Sequence, residues 1–233
     1  MLLSTFRVGP AWALAALLSG APMAAMALDL SVQVLDREGK PLRDAVVVAE
    51  STQSGQRPAP PAEATILQEK MKFVPAVSVV HLSTKVRFTN QDTWDHHVKG
   101  GLVATGNRYV KPDEGYAFRL AGRKAERPVS SNVQTYTELG PQLLGCHLHG
   151  SMQGHLYVTD SPWSAVTDAD GRVKLPSVPY GPVRVRVWHP DELVSTPVTA
   201  VVLTDALGPV KVATQIVARR KRGDPMPMSM PGY

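Results

Sequence analysis

Cysteine is almost missing from this chain: its 233 residues include one, Cys146. A lone thiol closes no intramolecular disulfide, so a small scaffold held together by disulfide staples is excluded. Cys146 is then buried filler, a nucleophile or a metal ligand. Long apolar runs are scarce as well. Beyond Leu30 none approaches the roughly 20 apolar residues that a membrane-crossing helix needs, which argues against stable membrane insertion. Helical periodicity is lacking over the same stretch, and 20 prolines oppose long helices. The formal net charge is only +5. Its basic residues are scattered rather than gathered into the stripe of a nucleic-acid-binding protein, so no nucleic-acid partner is expected. One basic run, Arg219-Arg220-Lys221-Arg222, stands near the C-terminus. It reads either as a solvated end or as a contact for an acidic partner or an anionic surface.

What is present begins with an export signal. Arg7 precedes an apolar run from Ala11 to Leu18, and small residues lead on to Ala25-Met26-Ala27. A positive start, a short apolar core and an A-x-A end describe a cleaved secretory signal over 1–27. The expectation is an exported, periplasmic protein that begins at Leu28. An unpaired thiol is a liability in that oxidising compartment unless something protects it, and a bound metal ion is one such protection.

A period of two runs through the rest. In Val183-Arg184-Val185-Arg186-Val187-Trp188 valines alternate with arginines, the pattern of a half-buried strand. Similar runs fall at 30–35, 46–48, 77–82, 86–89, 116–120, 156–159 and 198–203. Turn signals punctuate them, among them DREGKP at 36–41, DADGR at 168–172 and PYGP at 179–182. The fold class is therefore all-β. Segments 28–50 and 161–218 share a strand, D-x-x-G turn, strand logic. They either pair into one small sandwich around an inserted middle or simply follow one another. A Pro/Ser/Gln-rich linker at 51–64 leads into a middle domain, 65–160, that holds Cys146 and most of the histidines. A basic, Met-rich tail occupies 219–233.

The middle carries the chemistry. Cys146, His149 and Met152 stand as C-x-x-H-x-x-M, and a thiolate, an imidazole and a thioether on one short loop suit copper, which accepts all three. Zinc prefers four strong nitrogen or sulfur ligands and has little use for a thioether. A further strong ligand has to come from upstream, and KVRFTNQDTWDHHVKG at 85–100 offers adjacent His96 and His97. Neighbours in a strand point to opposite faces, so only one of them can serve. Two histidines and a thiolate with a weak axial methionine suit both oxidation states of copper, and no position stays open for substrate. That favours electron transfer over catalysis. Competing readings are a thiol nucleophile beside a histidine and Met152 as core filler. In the tail, Met226, Met228 and Met230 are either composition noise or a weak, transient holder of Cu(I).

The pattern V-x-F-x-N-x-D-x-x-x-H-x-V followed by G-C-x-x-H-x-x-M-x-G resembles the cupredoxins, the type 1 blue copper proteins, and its ligand loop is similar to that of amicyanin. The resemblance implies a Greek-key β-sandwich holding one mononuclear type 1 copper ion. It implies His96, Cys146, His149 and Met152 as ligands, leaving His97 as the alternative. Asn90, six residues before His96, would tie the two ligand-bearing loops together. From 30 to 203 the chain is also similar to exported plastocyanin-like proteins of the methylamine-utilisation type. In those, a small Ig-like, carboxypeptidase-regulatory-like β-sandwich flanks the copper domain. The implied role is a periplasmic one-electron carrier working with a redox partner protein, and not an enzyme. The alternative is a copper carrier or sensor that uses the same ligands without redox cycling.

Overall fold

A computed structural model describes residues 27–53, 57–103 and 115–217. The basic run 219–222, Met226, Met228 and Met230 lie outside the described residues, as does the expected export signal up to residue 26. Among the described residues every regular element is a strand. In chain order these begin with β1 (Ala27–Leu35), β2 (Val46–Ser51), β3 (Glu63–Glu69), β4 (Lys72–Val74), β5 (Val77–His81) and β6 (Lys85–Asn90). Then come β7 (His96–Leu102), β8 (Gly115–Leu120), β9 (Ser131–Thr135), β10 (Gly140–Cys146) and β11 (Gln153–Thr159). The last are β12 (Trp163–Val166), β13 (Arg172–Pro179), β14 (Gly181–Trp188), β15 (Thr199–Leu203) and β16 (Val210–Ala213).

The strands form four sheets, ordered β13-β1-β16, β12-β2-β14-β15, β4-β3-β6-β9 and β5-β11-β10-β7-β8. The first two enclose one apolar cluster that includes Leu30, Val32, Val47, Trp163, Leu175 and Val185. The outer segments of the chain thus share one sandwich, with β1 antiparallel to β13 and parallel to β16. The other two sheets enclose a second cluster, around Ile66, Phe73, Phe88, Val98, Leu144 and Leu156. Strand alternation explains both cores. Along β14 the valines 183, 185 and 187 are buried while Arg184 and Arg186 lie outside and reach Glu50 across the ladder.

β2 departs from alternation: Val46, Val47, Val48 and Ala49 are all buried. Val47 and Ala49 belong to the outer sandwich's core. Val46 and Val48 face the other way, into a small cluster with Val77 and Trp188, against which Tyr157 and Val79 pack. That cluster joins the two sandwiches, because Val77 and Tyr157 belong to β5 and β11. A strand covered on both faces reads as a continuous apolar run. The stretch 51–64 is entered by strands at both ends, since β2 runs to Ser51 and β3 starts at Glu63.

Candidate metal centre

β7 and β10 pair antiparallel with Cys146 opposite Val98. Side chains two apart on a strand share a face, so His96 projects into the core as the diagonal neighbour of Cys146. His96 is fully buried and Cys146 is 3% exposed. Past Cys146 the chain turns back, and the Met152 amide donates to the His149 carbonyl at 2.9 Å. That turn returns the His149 ring over the thiol. Cys146 Sγ lies 3.7 Å from His96 Nδ1 and 3.5 Å from His149 Nδ1. The donor atoms of the three residues all fall within 4.8 Å of one another, and the two rings meet at 65° with centroids 5.0 Å apart. Met152 is buried in the same cluster as Cys146. Two donors held about 2.0–2.3 Å from one ion, with an angle near 110° between them, would show sulfur–nitrogen spans of this size, so the donors fit a metal ion.

His96 is aimed by a carboxylate. Its Nε2 lies 2.9 Å from Asp92 Oδ2. Asp92 also accepts the amides of Lys70 at 2.6 Å and Met71 at 3.0 Å. Burial pushes the Asp92 carboxyl up, but these amides and His96 outweigh it and hold it below its ordinary range. An ionised carboxylate only accepts, so His96 Nε2 donates to it, and Nδ1 is the ring nitrogen that faces Cys146. The two amides come from a β3–β4 hairpin turn whose Lys70 and Met71 sit at φ 53° and 57°. Such a turn ordinarily takes Asn or Gly, and a side chain there costs about 1–2 kcal/mol per residue. The carboxylate offsets that strain.

Asn90 does not do what the resemblance implied. Its Nδ2 donates toward the carbonyls of Trp94 (2.8 Å), Ala121 (3.1 Å) and Leu120 (3.3 Å), and its Oδ1 accepts the Asp92 amide at 2.9 Å. The side chain has two N–H donors and one carbonyl, and these contacts occupy them. Asn90 therefore ties the Asp92–Asp95 turn to the end of β8, and the 146–152 loop is held from β7 by a His147 amide bond to the His97 carbonyl. Gly122 completes the support. Its amide donates to Asp95 Oδ1 at 2.7 Å, and a Cβ there would stand 2.2 Å from the Thr93 carbonyl oxygen.

The other histidines are elsewhere. His97 turns away from the thiol and packs at a tilt against exposed His147. His155 leaves the inner core, and its ring lies 6.0 Å from that of Trp188 in the outer sandwich. His81 Nε2 reaches the Ser161 carbonyl, and His189 Nδ1 accepts the Asp191 amide. Sequence reasoning assigned no role to Asp92, although it is the aspartate of the V-x-F-x-N-x-D-x-x-x-H-x-V pattern, four residues before the candidate ligand His96.

No family model matches the chain, and no curated protein matches it. Among solved structures, 47% of the chain is similar to a copper-containing nitrite reductase from Thermus scotoductus SA-01, at 20% identity and a TM-score of 0.33. The chain spans 24% of that protein's length. It is similar over 43% of its length to amicyanin from Paracoccus versutus, at 17% identity, 85% of that chain and a TM-score of 0.33. A variant of amicyanin in its Cu(I) form aligns over 48% of this chain and 99% of its own, at 16% identity and a TM-score of 0.34.

Proposed function

We propose that the inner sandwich is a cupredoxin-type domain that holds one type 1 copper ion and passes single electrons between partner proteins outside the cytoplasm. The observation that carries this reading is the convergence of Cys146 Sγ with the Nδ1 atoms of His96 and His149, with Met152 buried in the same core cluster as Cys146. Bound there, copper would supply a one-electron couple that the chain itself lacks. A thiolate and two imidazoles beside a thioether form the donor set of such sites.

The residues divide the remaining work. Asp92 and its turn fix the His96 ring, which limits rearrangement between oxidation states. The core around Cys146 excludes water from the thiolate. His149 is half-buried and offers a ring edge at the surface. Trp94 and Leu148, on the two ligand-bearing segments, are 45% and 57% exposed. They supply the small apolar surface that brief encounters with a redox partner use. The four side chains leave no donor position for a substrate, which supports a carrier rather than an enzyme.

Adding Cu(II) to the purified chain tests this. The expected result is an intense thiolate-to-copper absorption band that is lost and regained in reversible one-electron cycles. Cys146→Ser abolishes the band and His97→Ala keeps it. Uptake of Cu(I) alone, with no coloured oxidised form, would replace electron transfer by copper carriage.

A further inference from the structure

We propose that His97 and His147 form a second metal site, on the opposite face of the β7–β10 ladder from Cys146, and that it takes one Cu(II) ion. The His147 amide donates to the His97 carbonyl at 2.9 Å, which adds a rung to the ladder in which Cys146 lies opposite Val98. Side chains alternate across a strand, so with His96 and Cys146 turned inward, His97 and His147 turn outward side by side. Their ring centroids are 4.9 Å apart at an interplanar angle of 44°. Two imidazoles at that separation can each turn one nitrogen onto a shared ion at a bond length of about 2.0–2.1 Å. The ladder already holds their backbones together, so little ordering remains to oppose binding.

The surroundings choose the ion. The nearest acid in sequence, Asp95, is engaged by the Arg119 guanidinium, whose Nε lies 3.0 Å away. Lys99 lays its chain across Gly145, with Cε 3.2 Å from where a Cβ would stand. A hard cation such as Mg²⁺ or Ca²⁺ needs several oxygen donors, whereas the charge of Lys99 opposes every dication alike. Imidazole nitrogens bind Cu(II) more strongly than any other divalent ion of the first transition row, so this pair selects by donor chemistry rather than by charge. The site shares no side chain with the Cys146 centre and does not rest on the function proposed for it.

Calorimetric titration of the purified full chain with Cu(II) alone, beside the His97→Ala and His147→Ala chains, counts the equivalents bound. The thiolate band followed in parallel separates coloured from uncoloured copper. Each variant is expected to take up one uncoloured equivalent fewer than the parent. A nitrogen-coordinated Cu(II) paramagnetic resonance signal should disappear with it. His149→Ala should keep that equivalent. Equal uncoloured uptake by the parent and both variants, or its loss in His149→Ala, overturns the site. If the parent shows no coloured copper at all, the electron-transfer reading fails while the one-equivalent difference still stands or falls by itself.

Discussion

In the outer sandwich, the buried hydroxyls of Thr167 and Thr214, just past β12 and β16, each serve the backbone. Thr167 Oγ1 donates to the Leu42 carbonyl and accepts the Ala45 amide, and Thr214 Oγ1 donates to the Leu35 carbonyl. At one end of the inner sandwich the buried polar groups touch one another instead: Asn90 holds the Asp92 amide, Asp92 meets His96, and His96 faces Cys146. Replacing a hydroxyl that serves the backbone costs about one hydrogen bond and leaves the fold as it was. Breaking a chain of side chains releases the atom at its end, here His96 Nδ1. Polar burial in the outer sandwich stabilises; in the inner one it positions, and the strained Lys70-Met71 turn is part of what that positioning costs.

The comparison breaks most visibly if damage to one sandwich spreads to the other. Trp163 fills the outer core at 2% exposure and donates through Nε1 to the Ser177 carbonyl at 3.1 Å. Trp163→Ala should cost about 3–5 kcal/mol in denaturant unfolding. In the protein that remains folded, the thiolate–copper band should keep its position and intensity. A shifted band in folded Trp163→Ala protein would show that the Val46–Trp188 junction transmits packing to the proposed copper centre, and the division of labour would be lost.

Asp92→Asn acts from the inner side with a smaller effect. The amide keeps one acceptor for the β3–β4 turn but removes the charge that fixes the His96 proton. Outer-sphere partners of this kind tune metal affinity about 10–100-fold. Copper affinity should fall by that factor and the midpoint potential should move, while the unfolding midpoint changes modestly. An unchanged affinity and potential would reduce Asp92 to a turn-former. The sign of the pH dependence agrees: the Asp92 carboxyl is depressed in the folded state, so its contribution is present above its ordinary value of 3.8 and lost as pH falls through the lower folded value.

These two sites also show what was legible in the sequence. C-x-x-H-x-x-M could be read because its three donors share one loop, where spacing alone brings them together. β14 could be read because one face meets core and the other meets water. β9 could not, since the one apolar residue of its SNVQT, Val133, is exposed and no residue of the strand is buried. The parallel pairing of β1 with β16 joins opposite ends of the described chain, which local pattern cannot encode. The run Val46–Ala49 announced a strand but not its second buried face, because the partner there is the other sandwich. The role of Asp92 was hidden for a different reason. An acid in a polar turn is commonplace, and only the fold brings the Lys70-Met71 turn and His96 onto it.

The smallest predicted effect tests the contrast from the outer side, where a buried acid is out of character. Glu192, between β14 and β15, is 7% exposed, and its Oε1 accepts the Thr196 amide at 2.7 Å. Burial raises its carboxyl, and the Thr196 amide only partly opposes this. A raised carboxyl carries the opposite sign to Asp92: its penalty is present above the folded value and vanishes below the ordinary 4.5. Glu192→Gln keeps the acceptor for Thr196 and removes the charge. It should stabilise the chain at pH 7 by on the order of 1 kcal/mol and by nothing at pH 4, with copper affinity unchanged at either. Denaturant melts of the parent and variant at the two pH values decide it. A gain that persists at pH 4 would mean that packing rather than charge burial is responsible. Loss of stability at pH 7 would mean that the ionised carboxylate is better served than its Thr196 bond alone implies, as Asp92 is.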